Sequence, residues 1–267
     1  VLIKVNGEEI DLSRYGSYHE RRFDLTRSYV RRLGGGRVVE LGGHPWAMTA
    51  RLLRDPNVKL VASVSAEEVT AWPDELPVTR REYEIVLPDG TAHRFFNYSA
   101  NIERTLFEIG TRADLVLACE IIEHMTRSPH VMLLNANAWL EIGGHLLITT
   151  PNGAQFQNPL HVRAKMPAFR YSTYSRHNYV FTMEGLTDLV ACCGFEVESA
   201  EYHSPYGRRG LARLYPIASR LPGTYFQGKF GQSLYVVARK TAELKAAMRV
   251  PAVYSPSASW EHIDQSE

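Results

Sequence analysis

Cysteine is scarce in this chain, and its placement excludes two structural classes. The 267 residues include three cysteines, Cys119, Cys192 and Cys193, two adjacent and the third remote. Such spacing builds neither a disulfide framework nor a zinc site, and it predicts reduced thiols in a cytoplasmic protein. Excess charge of either sign is also missing, since 30 Lys and Arg against 29 Asp and Glu leave a net +1. That balance supplies no global field for nucleic acid or an anionic membrane. No run of about 18 apolar residues occurs, so no membrane-spanning helix is expected. The first residues also lack the layout of a signal peptide. The histidines are scattered and the carboxylates do not cluster at ligand spacing, so no metal is expected. There are no internal repeats.

The hydrophobic content of 45% is enough for one large α/β domain or a domain with additions. The expected order begins with a small hairpin over 1–12 around Asn6-Gly7 and a helix over 18–33 with basic residues in its last turn. Strand Val38-Val39 follows, with Glu40 at its carboxyl end and Gly42-Gly43 turning into a helix over 47–54. Strand 58–64 leads to an inserted hairpin of 81–87 with 91–96, turning at Pro88-Asp89-Gly90. Strand 114–118 precedes Cys119-Glu-Ile-Ile-Glu-His124. A helix opens at Pro129, buries Val131, Leu134, Trp139 and Leu140, and stops at Gly143-Gly144. Strand 145–150 comes next. A further helix starts with Thr182 as N-cap and ends at Gly194. Residues 195–202 and 232–240 read as the last strands. Segments 153–176 and 205–231 have no clear period, the second carries Arg208, Arg209, Arg213, Arg220 and Lys229, and the tail after 240 turns into a Pro/Ser stretch.

Strand, glycine turn and helix near the start of an α/β domain form a nucleotide-cofactor crossing, with the ligand beyond the carboxyl ends of the strands. The spacing G-x-G-x-x-G that a dinucleotide needs is absent. A carboxylate two residues before the first glycine suits the cationic amino-acid end of S-adenosylmethionine (SAM) instead. At the end of the second strand, where an acid would grip ribose hydroxyls, stands Ser65. Glu67 and Glu68 just beyond read either as substitutes or as first-turn acids of a following helix.

Five stretches together resemble a class I SAM-dependent methyltransferase of the small-molecule or sugar type: VVELGG (38–43), NIER (101–104), DLVLACEIIEHM (114–125), WLEIGGHLLITTPNG (139–153) and RHNYVFTMEGLTDLVACCGFEV (176–197). The resemblance covers roughly 18–202. It implies a Rossmann-like, seven-stranded, mostly parallel sheet with helices on both faces and an antiparallel C-terminal hairpin. Residues 1–240 are expected to form the methyltransferase domain and 241–267 a tail, and 153–176 and 205–231 are expected to cover the cleft, from their lack of period and their place after two carboxyl-edge segments. The resemblance sets Glu40, Gly42 and Gly43 against the methionine end of SAM, Asn101 and Ile102 at the adenine, and Cys119 and Glu120 along the pocket after the fourth strand. His44, Trp46 and Ser65 depart from the family pattern, and bulky His44 and Trp46 are expected to crowd the cofactor turn.

Methyl transfer from a sulfonium is an in-line displacement that depends on positioning. A hydroxyl acceptor also gains from a general base, usually histidine. His124 follows the fourth strand and reads as that base or as a helix-start histidine bonded to a nearby loop. His177 reads as base, acceptor contact or anchor of a cover. The expected acceptor is a sugar, glycoconjugate or secondary metabolite methylated on a hydroxyl. An amine acceptor and a degenerate fold that only binds are the alternatives.

Overall fold

The computed structural model of the chain describes residues 2–65, 77–155, 177–206, 214–221, 223 and 225–243. Strands β1 (Leu2–Val5) and β2 (Glu8–Asp11) pair antiparallel. Asn6 and Gly7 turn between them at φ 50° and 87°, as an Asn-Gly hairpin requires. Helix α1 (Ser13–Arg32) follows and starts before the expected residue 18. Its buried stripe is Arg22, Phe23, Thr26, Tyr29 and Val30, a helical repeat with one arginine inside it.

The remaining strands are β3 (Gly36–Leu41), β4 (Val58–Val64), β5 (Thr79–Val86), β6 (Ala92–Ser99), β7 (Ala113–Cys119), β8 (Leu140–Pro151), β9 (Phe195–His203) and β10 (Ser233–Lys240). They form one ten-stranded sheet in the order β2-β1-β5-β6-β4-β3-β7-β8-β10-β9. Strands β6, β4, β3, β7 and β8 are mutually parallel. Strand β10 runs antiparallel between β8 and β9. These seven strands form the Rossmann-like sheet with an antiparallel C-terminal hairpin that the resemblance implies, and β5, β1 and β2 extend it antiparallel. The 81–96 hairpin is therefore part of the main sheet. Its second strand runs on to Ser99 because Phe96, Asn97 and Tyr98 pair with β4.

Two apolar cores fill the two faces, and strand residues alternate between them. Val39, Leu41, Val116 and Ala118 face one core, with Met132, Leu133, Ala136 and Trp139 of helix α3 (His130–Trp139). Leu186, Leu189 and Val190 of helix α4 (Met183–Ala191) complete it. Val38, Leu115 and Leu117 face the other, under Phe23, Tyr29 and Val30 of α1.

Several local expectations are corrected. The helix after the glycine turn is only α2 (Thr49–Leu52), because Trp46 is left-handed at φ 70° and Pro56 follows closely. Helix α3 ends at Trp139, and Gly143-Gly144 lie inside β8, where the register jumps from Ala113↔Leu140 to Leu115↔His145. The buried face of α3 is Met132, Leu133, Ala136 and Trp139, while Val131 and Leu134 are half-buried. No helix among the described residues is long and apolar enough to cross a membrane.

Candidate functional site

The carboxyl ends of β3, β7 and β8 open onto a cavity of about 540 Å³, of the size that holds a small ligand or cofactor. Six of the residues singled out from the sequence line it together with His177: Glu40, Gly42, Gly43, Cys119, Glu120 and His124. Ser65, Asn101 and Ile102 do not. Ser65 closes β4, where its Oγ lies 3.1 Å from Asn97 Oδ1. Asn101 Oδ1 accepts from the Glu103 amide in its own turn, and Ile102 belongs to the apolar core. Residues 66–76, which include Glu67 and Glu68, lie outside the described residues, as do Arg208, Arg209, Arg213, most of the first cover segment and the tail beyond 243.

Glu40 is 4% exposed and accepts a hydrogen bond from Thr49 Oγ1. Burial raises its carboxyl from an ordinary 4.5 to about 7, against the pull of that hydrogen bond. The turn beside it is tight. Gly42 sits at φ 70°, and a Cβ there would come 3.0 Å from Ile121 Cδ1. A Cβ on Gly43 would fall 2.5 Å from Ser63 Oγ. The bulk expected to crowd this turn is only half there. His44 lines the cavity, but Trp46 is turned into the core under the sheet, against Tyr83 and Phe95 at ring distances of 5.3 and 5.7 Å. Its left-handed backbone gives it that direction.

On the β7 side, Glu120 is also left-handed, at φ 56°. Its carboxylate accepts from Thr149 Oγ1 at 3.0 Å and from Tyr206 Oη at 2.8 Å, and lies 3.5 Å from Arg22 Nη1. Arg22 in turn donates to Tyr206 Oη at 3.1 Å. Burial works against the Arg22 charge, but Tyr206 and Glu120 outweigh it and hold the guanidinium on. Burial, then Glu120, pushes the Tyr206 phenol up. The neighbouring Cys119 thiol is pushed up to about 12 by burial, so it is no nucleophile at neutral pH.

The third side of the cavity is a 3₁₀ turn, Ile122–His124. Its Glu123 carbonyl accepts from the amides of Asn178 at 2.7 Å and Tyr179 at 3.1 Å, and Asn178 Nδ2 donates to the His124 carbonyl at 3.2 Å. These bonds carry His177 to His124, with ring centroids 4.8 Å apart and planes at 75°. Burial, then the nearby His124, lowers the His177 imidazole. Glu123 is 1% exposed. Its Oε2 accepts from Thr150 Oγ1 at 3.0 Å, while its Oε1 is buried with no hydrogen-bond partner among the described residues. Burial, then Glu120, raises its carboxyl.

Arg22, Tyr206 and Glu123 are among the cavity residues that motif reading gave no ligand role. Arg22 had a signal, a charge inside a buried helical stripe. Tyr206 had none, since it sits in a segment without period.

The sequence family described as a methyltransferase domain matches residues 18–200. Among solved structures, a SAM-dependent methyltransferase from Thermotoga maritima is similar at 18% identity and TM-score 0.52, covering 85% of this chain and 93% of its own. A SAM-dependent methyltransferase from Archaeoglobus fulgidus is similar at 14% identity and TM-score 0.50, covering 85% and 100%. The phosphoethanolamine N-methyltransferase 2 of Haemonchus contortus, seen with phosphomonomethylethanolamine and S-adenosylhomocysteine, is similar at 13% identity and TM-score 0.51, covering 82% and 53%. At these identities the structural likeness shows the fold alone. No curated protein matches the chain. With the family match over 18–200, the chain belongs to the methyltransferase-domain family and is a SAM-dependent enzyme of the class I fold.

Proposed function

We propose that the enzyme transfers the SAM methyl group to a hydroxyl oxygen of a small-molecule or glycan acceptor, such as a sugar, glycoconjugate or secondary metabolite, in the cytoplasm. The observation that carries this reading is the pair of imidazoles, His124 and His177, at the cavity edge beside Glu120 and Glu123. In this reading the methionine end of SAM lies against Glu40, Gly42 and Gly43, with Cys119 and Glu120 along its flank. The adenosine end extends toward the ends of β4 and β6, where Ser65, Asn101 and Ile102 stand. The acceptor enters from the histidine side, under a cover formed by 153–176 and 205–231. Tyr206, at the start of the second of these segments, supports that placement by lining the cavity.

A hydroxyl is a poor nucleophile, and groups that remove or weaken its proton are worth about 10²–10⁴ in rate. Two imidazoles at the rim suit that need. The N-methyltransferase among the similar folds keeps an amine acceptor as the alternative. A neutral amine needs no base, and His124 and His177 would then only hold it. Incubation with methyl-labelled SAM and matched alcohol and amine acceptors separates the two. Label in an ether is expected, and label confined to amine nitrogen would overturn the hydroxyl reading.

A further inference from the structure

We infer that Glu123, His124 and His177 form a binding site for one first-row divalent cation, facing the acceptor side of the cavity. One ligand atom from each of the three lies within 4.8 Å of the others. That span is wider than the roughly 3–4 Å between atoms bound to one ion at about 2.0–2.2 Å. Rotation of the imidazoles closes the gap, because His124 is 39% exposed at its side chain and His177 is half-buried. Glu123 is the fixed member, buried between β8 and the 3₁₀ turn and tied by Thr150.

A second observation is independent of that clustering. Glu123 Oε1 is buried, has no hydrogen-bond partner among the described residues and points to the His124 side, 3.9 Å from Nε2. A buried carboxylate oxygen without a partner is costly. Tyr206 and Thr149 already occupy both oxygens of the neighbouring Glu120, and Arg22 faces Glu120, so these groups do not supply the missing partner. A cation would. The donor set, two imidazole nitrogens and one carboxylate oxygen, selects Mn²⁺, Fe²⁺, Co²⁺ or Zn²⁺ over Mg²⁺ or Ca²⁺, which prefer oxygen. Three protein ligands leave positions open toward the cavity.

This deepens the hydroxyl-transfer reading, and rests on it for the cation's role though not for its binding. The acceptor oxygen takes an open position, and its O–H proton leaves to solvent water as the cation lowers its pKa. The oxygen then forms the new O–CH₃ bond while the C–S bond breaks, its electron pair going to sulfur to leave neutral S-adenosylhomocysteine. The imidazoles thus act on the acceptor through the ion.

The test uses chelator-stripped full-length protein and Mn²⁺ alone, read by the loss of the free-ion electron paramagnetic resonance signal. One bound Mn²⁺ per chain is expected, weakened at least about tenfold in both Glu123→Gln and His177→Ala. Absence of binding at millimolar Mn²⁺, or equal binding in wild type and both variants, would overturn the site. If Glu123→Gln fails to fold by circular dichroism, His177→Ala, which removes a half-buried ring and strands no charge, decides alone. S-adenosylhomocysteine titrated into the same wild-type protein keeps the failures apart. Cofactor bound without Mn²⁺ removes the cation and leaves the transfer reading intact. Mn²⁺ bound without cofactor upholds the site and removes its role.

Discussion

Arg22 on the first helix and Glu120 at the end of β7 lie 3.5 Å apart with side chains only 10% and 11% exposed. This pair ties α1 to the cavity wall, with Tyr206 bonded to both. Removing one partner of a buried pair strands the other charge, at about 3–5 kcal/mol. Arg22→Ala should therefore destabilise the fold by about 3 kcal/mol in urea unfolding, and Arg22→Met/Glu120→Gln should recover part of that. A loss under about 1 kcal/mol for Arg22→Ala would mean that water screens the pair.

Glu40 gives a pH dependence with a definite sign. Its carboxyl is raised in the folded protein from 4.5 to about 7, mainly by burial. Its contribution to stability is therefore fully present below pH 4.5 and is lost as pH rises through 7. Wild type should lose more stability than Glu40→Gln between pH 5 and 8, by urea midpoints. Because the cofactor's ammonium favours the ionised carboxylate, binding near pH 6 should release a proton. Calorimetric heats would then vary with the ionisation enthalpy of the buffer in wild type and not in Glu40→Gln. Equal heats in all buffers for wild type would separate Glu40 from the cofactor.

Gly43 should tolerate no side chain. A Cβ would meet Ser63 Oγ at 2.5 Å and Trp46 Cζ3 at 3.1 Å. Gly43→Ala is expected to cost about 1–3 kcal/mol by overpacking. Ser63 Oγ has no hydrogen-bond partner among the described residues, so Ser63→Ala is expected to cost little and to rescue Gly43→Ala in the double variant. An unrescued double variant would place the strain elsewhere.

His124→Ala should lower kcat by roughly 10²–10⁴ with little change in S-adenosylhomocysteine affinity. His177→Ala should behave alike, since the two rings meet edge to face at the cavity edge. Rates within a few-fold of wild type in both variants would remove the pair from the chemistry, as an amine acceptor would require.

The central strands were legible because buried runs such as Val38-Val39 and Leu115–Ala118 end at glycines or at Cys119-Glu120. Those boundaries also placed Glu40, Gly42, Gly43 and Glu120 at one sheet edge. What could not be read depended on distant contacts. Arg22 meets Tyr206 across 184 residues of sequence. His177 reaches His124 only because Asn178 and Tyr179 donate to the Glu123 carbonyl, so a ligand cluster scattered in sequence gathers in space. Trp46 reads as an obstacle in sequence, yet its positive φ turns it into the core. Gly143-Gly144 read as a helix stop and instead mark an irregularity in β8, since Leu140 already pairs with Ala113.

The most direct test is a calorimetric titration of S-adenosylhomocysteine into the wild-type chain and Gly42→Val. One site per chain is expected in wild type. Binding should be nearly abolished in Gly42→Val, where a β-branched residue would be forced to φ 70° against Ile121 at the cofactor turn. No heat from wild type at millimolar ligand, or equal binding by a folded Gly42→Val, would contradict a cofactor seated beside Glu40 and Gly42.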